Sequence, residues 1–269
     1  LGAMSHVRIS FDVPSFTLKT NALGVLNMLE ATRICCPGAK FYQASSSEMF
    51  GNSVDEDGFQ RMTTPMNPVS PYGCAKVLGY NLVNHYRNAY KMFAVNGILF
   101  NHESPRRGSN FVTNKVVKRA VEISMKMKDK LVLGNMDSKR DWGHSKDYMK
   151  AIHKMMHQEE PRNWIIATGK SHSVRDLVNY VFEKLNLDPS EHVSQDPKFM
   201  RPEELKYLRI IDGANGKELW STYRKSKGGN KGERTEPRRL NPLFVKDMDG
   251  KPINWKLQER LEIGEELPP

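Results

Sequence analysis

No G-x-G-x-x-G turn stands anywhere in the 269 residues, so the glycine-rich start of a dinucleotide fold, whose backbone amides cradle a pyrophosphate, is not written here. Gly228-Gly229-Asn230-Lys231-Gly232 comes nearest, but no apolar strand precedes it and it reads as a flexible linker. Gly216-Lys217 likewise lacks the rest of a phosphate loop. No apolar run approaches the roughly 20 residues that cross a bilayer, and no basic flank with an apolar segment opens the chain. The expectation is therefore a cytoplasmic protein with no membrane partner. Cysteine is scarce: Cys35, Cys36 and Cys74 are odd in number, which suits reduced thiols better than a disulfide framework. Metal-ligand spacing is absent, His102 and His144 included, and Asp247-Met248-Asp249-Gly250 lacks the closing acid of a calcium loop. No internal repeat is visible.

What is present is basic and polar. Lys and Arg number 41 against 31 Asp and Glu, a net charge of +10, and 38% of residues are hydrophobic. With a mean hydropathy of -0.61, the composition is that of a soluble chain able to bury one sizeable core and a small second lobe. Much of the excess charge lies between Arg224 and Arg239, without interleaved aromatics. No nucleic-acid partner is expected, whereas an enzyme gripping a nucleotide diphosphate also needs cations.

Chemistry concentrates in Ser45-Ser46-Ser47-Glu48 and in Tyr72-Gly73-Cys74-Ala75-Lys76. Tyr72 and Lys76 are four apart in what reads as the first turns of a helix, so both project from one face. An ammonium there favours the phenolate and turns a poor base into a usable proton acceptor. Taken alone, such a pair is also an aromatic at a helix base beside a solvated lysine. Lys40 to Ser45 has the apolar start of a strand, which puts Ser46 and Glu48 at its end, the edge that lines crevices in open α/β sheets. Ser45 with Glu48 three residues on equally forms a capping box.

The remaining pattern alternates helices and strands. A buried helix is expected through Leu23, Leu26, Met28, Leu29 and Ala31, stopped by Pro37-Gly38. The long loop from Asn52 to Pro71 is the kind that covers a site. Helix resumes from Tyr72 to about Tyr90, and Phe93 to Phe100 reads as a central buried strand. Val116 to Met127 is helical, Leu131 to Asn135 a short strand and turn, Trp164 to Ala167 another strand, and Ser173 caps a helix reaching about Leu185. Ile152, Met155 and Met156 mark a buried helix face. Leu1 to Val7 reads like the end of an internal strand, with further residues expected upstream.

Phe41 to Gly51, Ser70 to Lys76, Ala94 to Gly108, Leu133-Gly134-Asn135, Lys139 to His144 and Ile166 to Gly169 together resemble the GDP-mannose 4,6-dehydratases, a family of extended short-chain dehydrogenases. The resemblance runs from Leu1 to about Leu208. It implies an α/β fold, here an incomplete Rossmann-like parallel sheet with a smaller substrate lobe and an irregular C-terminal tail. The dinucleotide domain would comprise residues 1–110 and 140–168, the substrate lobe 111–139 and 169–211, and a divergent, poorly packed tail 212–269.

The resemblance also implies conversion of GDP-mannose to GDP-4-keto-6-deoxymannose with NADP, by a homo-oligomer, either dimer or tetramer. Ser46, Glu48, Tyr72 and Lys76 would be catalytic: Tyr72, aided by Lys76 and Ser46, takes the C4 hydroxyl proton, and Glu48 the C5 proton. Leu1, Gly2, Ala3, Met4, Ser5, Phe16, Lys76, His102 and Arg107 would contact NADP. Asn101, Lys115, Leu133, Asn135, Arg140, Arg201 and Glu204 would hold the sugar nucleotide. Ser46 stands where the family usually has threonine, and Phe16 where it often has a tyrosine. A sibling nucleotide-sugar dehydratase or epimerase, and an inactive fragment or pairing subunit, are the alternatives.

Overall fold

The structure, a computed structural model, describes residues 2–203. Three strands form its centre: β1 (Phe41–Ser46), β2 (Ala94–Leu99) and, further along the chain, β6 (Trp164–Ile166) pair in parallel in the order β1-β2-β6. Every residue of β2 is buried, the signature of a parallel strand covered on both faces. The covering helices follow from the alternation of its side chains. Ala94 packs with Leu29 of α3 (Gly24–Cys35) and with Val83 and Tyr86 of α4 (Pro71–Tyr90). Val95 and Leu99, on the opposite face, meet Tyr148 and Met155 of α6 (Ser145–Met156). Each large apolar side chain so buried contributes about 1.5–3 kcal/mol of transfer free energy.

The remaining strands are short. β3 (Asn101–Glu103) pairs in parallel with β5 (Lys139–His144), which pairs antiparallel with β7 (Ser171–Ser173). β4 (Leu131–Leu133) pairs in parallel with β8 (Val193–Gln195). A separate apolar cluster binds this region: Val116, Ala120 and Ile123 of α5 (Val112–Ser124) against Leu177, Val178 and Phe182 of α7 (Val174–Lys184). Ser173 caps α7 in a full capping box with Asp176. The short α8 (Pro189–His192) leads into β8.

Four expectations change. Residues 2–6 form no strand, and helix begins at once with α1 (Val7–Asp12) and α2 (Pro14–Leu18), because the His6 ring accepts the Ile9 N–H as an N-cap. The expected buried helix is only partly buried: a π-helical turn (Lys19–Leu23) precedes α3, Leu29 is buried, and Leu23 and Met28 face outward. The loop after Asn52 stays off the large cavity and lines only a small one of about 370 Å³, through Phe59. Met62, Met66 and Val69 pack onto Phe50, Ile98 and Phe100, while Arg61 pairs with Asp55 and Asp57 and closes the loop on itself. The cap on the 3-10 turn Ser47–Phe50 is Ser46, whose Oγ accepts the Glu48 N–H at 3.2 Å, whereas Ser45 donates to Asn96 Oδ1. The tail 212–269 lies outside the described residues. Cys35, Cys36 and Cys74 are exposed, and no disulfide forms among the described residues.

Candidate active site

The carboxyl ends of β1 and β2 open into a single cavity of about 1450 Å³. At the end of β1 the chain turns through Ser46 and Glu48. Both stay buried because the 3-10 turn tucks Met49 and Phe50 into the core and draws Glu48 with them. Facing them is the first turn of α4. Ser70 caps it by accepting the Gly73 N–H at 3.0 Å, Pro71 occupies the opening position, and Ser10 Oγ accepts the Tyr72 N–H at 3.2 Å. Gly73 permits the approach: a Cβ there would lie 2.9 Å from the Glu48 carbonyl oxygen and 2.8 Å from Pro68 Cβ.

Ser46, Glu48, Tyr72 and Lys76 therefore line one wall. Ser46 hydrogen-bonds the Tyr72 phenol, which lowers its pKa, yet burial outweighs this and holds the phenol up at about 12. Lys76 Nζ lies 5.5 Å from the Tyr72 ring centroid, donates to the Ala44 carbonyl at 2.7 Å, and is brought down to about 8 by burial. Burial thus biases both groups toward their neutral forms.

Glu48 Oε1 accepts from Arg201 Nη1 at 3.2 Å across 153 residues of sequence. Its Oε2 is buried without a hydrogen-bond partner among the described residues. Arg201 arrives on the segment after β8, which lies on Gly134: Asp196 N donates to the Leu133 carbonyl at 2.9 Å and Gln195 Nε2 to the Gly134 carbonyl at 2.8 Å.

Of the residues implied for a cofactor, Gly2, Ala3, Ser5, Lys76, His102 and Arg107 line the cavity. His102 Nδ1 hydrogen-bonds the Phe100 carbonyl oxygen at 2.9 Å, and its ring stacks on Tyr148 at 4.8 Å; burial lowers its pKa. The Arg107 guanidinium lies 3.5 Å over the Phe111 ring. Its Nε is 3.2 Å from Glu103 Oε2 and is buried without an aligned hydrogen-bond partner among the described residues. Met4 does not line the cavity; its backbone pairs with the Asn21 amide at 2.8 Å in both directions. Phe16 is 58% exposed and also outside the cavity, because α2 turns it away. Leu1 lies outside the described residues.

Of the residues implied for the substrate, Asn101, Lys115, Leu133, Asn135, Arg140 and Arg201 line the same cavity. Lys115 Nζ donates to the Val132 carbonyl at 2.7 Å and sits 4.4 Å over the Phe199 ring. Burial lowers its pKa. Arg140 is buried and donates to the Lys139 carbonyl at 2.8 Å. Glu204 falls outside the described residues. Lys118, Arg119, Lys198 and Phe199 also face the cavity and were not anticipated. Lys118 and Arg119 stand one helical turn after Lys115, a spacing that signals a shared face. Nothing local in the sequence signals Phe199. No group of three or more His, Cys, Asp or Glu residues could hold a metal ion among the described residues.

A family model described as GDP-mannose 4,6 dehydratase matches residues 1–219. The chain is 42% identical over 238 residues to a GDP-mannose 4,6 dehydratase of Drosophila melanogaster, covering 81% of this chain and 60% of that one. To the Homo sapiens GDP-mannose 4,6 dehydratase it is 44% identical over 228 residues, covering 78% and 61%. The chain thus spans about three fifths of the length of these relatives. Among solved structures, RMD from Pseudomonas aeruginosa complexed with NADPH superposes with a TM-score of 0.71 at 20% identity, covering 82% of this chain and 72% of that one, which establishes a shared Rossmann-like fold.

Proposed function

This chain belongs to the GDP-mannose 4,6 dehydratase family, and from that premise we propose that it acts on GDP-mannose as a 4,6-dehydratase, a hydro-lyase using NADP. The observation that carries the proposal is the convergence of Ser46, Glu48, Tyr72 and Lys76 on one wall of one cavity. Tyr72 Oη accepts the proton of the sugar's C4 hydroxyl, with Ser46 holding the phenol in line and Lys76 the neighbouring cation. Glu48 takes the C5 proton and delivers it to the departing C6 hydroxyl, which leaves as water. His102 and Arg107 would hold the nicotinamide cofactor, which when bound supplies the hydride acceptor and donor that the chemistry requires. Lys115, Arg140 and Arg201 supply the positive wall that a nucleotide diphosphate needs. We assign residues 111–139 and 169–203 to the sugar-nucleotide lobe, supported by the separate apolar cluster of α5 and α7.

The same reading makes the protein a cytoplasmic homo-oligomer. Its support is family membership, the exposed apolar residues Leu23, Met28 and Leu78, and the lack of a helix long and apolar enough to cross a membrane among the described residues.

Incubation with NADP and GDP-mannose, read by mass spectrometry for loss of one water, tests the proposal. Conversion of UDP- or dTDP-sugars in preference to GDP-mannose would move the chain to a sibling activity.

A further inference from the structure

Among the described residues Arg201 stands at a junction between two kinds of surface. On one side its guanidinium meets Glu48, whose side chain is only 9% exposed. On the other it lines the same cavity as the cationic side chains of Lys115, Arg140 and Lys198. The segment that carries it is fastened to Leu133 by the Asp196 N–H and to Gly134 by the Gln195 side-chain amide, so Arg201 enters the cavity from a fixed base, with a side chain long enough to swing between partners.

We propose that Arg201 couples the anion-binding wall to Glu48: it caps the carboxylate while the wall is empty, and a bound diphosphate draws it off and frees the carboxylate. The proposal rests on the reading of Glu48 as the base. Physically it is a competition. A carboxylate oxygen that accepts from a guanidinium cannot turn the same lone pair toward a carbon-bound proton. A diphosphate carries more charge than one carboxylate and matches the guanidinium fork with several oxygens. Lys115, Arg140 and Lys198 add their attraction to the phosphate side alone. The other oxygen of Glu48, Oε2, is buried and unpartnered, so nothing else among the described residues holds it when Arg201 leaves. The base is thereby withheld until the nucleotide end of the substrate is seated.

Competition for one side chain has a thermodynamic signature, because removing one competitor must favour the other. Pyrophosphate is titrated by calorimetry into the unsubstituted chain, Glu48→Gln, Arg201→Ala and the double variant, each checked for folding by circular dichroism. Glu48→Gln is expected to bind pyrophosphate about tenfold more tightly, ~1.4 kcal/mol, and this gain should vanish in the Arg201→Ala background. Equal affinities for the unsubstituted chain and Glu48→Gln overturn the proposal. So does an equal gain with and without Arg201, which is the mark of general charge removal, and so does the absence of pyrophosphate binding. If a substituted chain does not fold, carbodiimide labelling of Glu48 in the unsubstituted protein puts the same question. Labelling should speed up with pyrophosphate, and an unchanged or slower rate rejects the coupling. Because neither measurement uses turnover, a coupled but inactive chain sinks only the dehydratase reading, and an active, uncoupled one sinks only this proposal.

Discussion

The ammonium of Lys76 donates to the Ala44 carbonyl at 2.7 Å and lies 5.5 Å from the centroid of the Tyr72 ring, so the strand backbone, and not the phenol, is its hydrogen-bond partner. Burial raises the phenol to about 12 and lowers the amine to about 8. A further positive charge beside the phenol would lower it again.

Replacing Tyr72 by Phe removes the hydroxyl proposed to take the proton and leaves the ring that packs there. The expected result is a fall in kcat of about 10²–10⁴ with NADP affinity within twofold of the unsubstituted protein. Steady-state kinetics with GDP-mannose and a fluorescence titration of the cofactor check both halves. An unchanged kcat would remove Tyr72 from the chemistry.

The depressed pKa of Lys76 fixes a pH dependence of stability. Its folded value of about 8 lies below the ordinary value of 10.5. Between the two the unfolded chain binds the proton and the folded chain does not, so stability rises as pH climbs through this window. The gain is of order 3 kcal/mol at its limit. Tyr72 acts oppositely above pH 10, where its raised pKa makes stability fall. Thermal unfolding from pH 7 to 10 should show the rise in the unsubstituted chain and a flatter profile in Lys76→Met; parallel profiles would contradict it.

Gly134 carries the segment that delivers Arg201. A Cβ at this position would lie 2.6 Å from the Phe199 carbonyl oxygen and 2.9 Å from its carbonyl carbon, both main-chain atoms that cannot rotate away. Gly134→Ala should shift residues 197–201 and weaken pyrophosphate binding several-fold while changing the melting temperature by only a few degrees. Unaltered affinity would show that the segment does not depend on this contact.

Asp141 is wholly buried and accepts hydrogen bonds from Thr168 N at 3.0 Å, Thr168 Oγ1 at 2.9 Å and Gly169 N at 2.8 Å. Burial raises its carboxyl to about 6 against the pull of these bonds. Truncation to Ala leaves buried N–H groups without acceptors, at about 1–3 kcal/mol each. Urea denaturation of Asp141→Ala should show a loss of about 3 kcal/mol or more, and a loss under 1 would mean that water replaces the carboxylate.

Much of the fold was legible because it is local. The helical pattern from Tyr72 marks α4, the mostly apolar run from Phe93 to Phe100 marks β2, and Ser173 with Asp176 caps α7, each depending on residues within a few turns. The grouping of Ser46 and Glu48 with Tyr72 and Lys76 followed from a strand end facing a helix start. Phe16 and Met4 lie outside the cavity lining, a placement that depends on the direction of short helices and on one amide, Asn21, that pairs with the Met4 backbone.

By itself the sequence determined the family, the parallel sheet and the residue types able to move protons, since these rest on motif identity and on periodicity along the chain. The tertiary structure alone decided that Glu48 meets Arg201, that Lys76 turns to the Ala44 carbonyl and that Phe199 closes over Lys115. Such contacts join residues far apart in sequence, and the burial that sets their charge depends on every element packed around them.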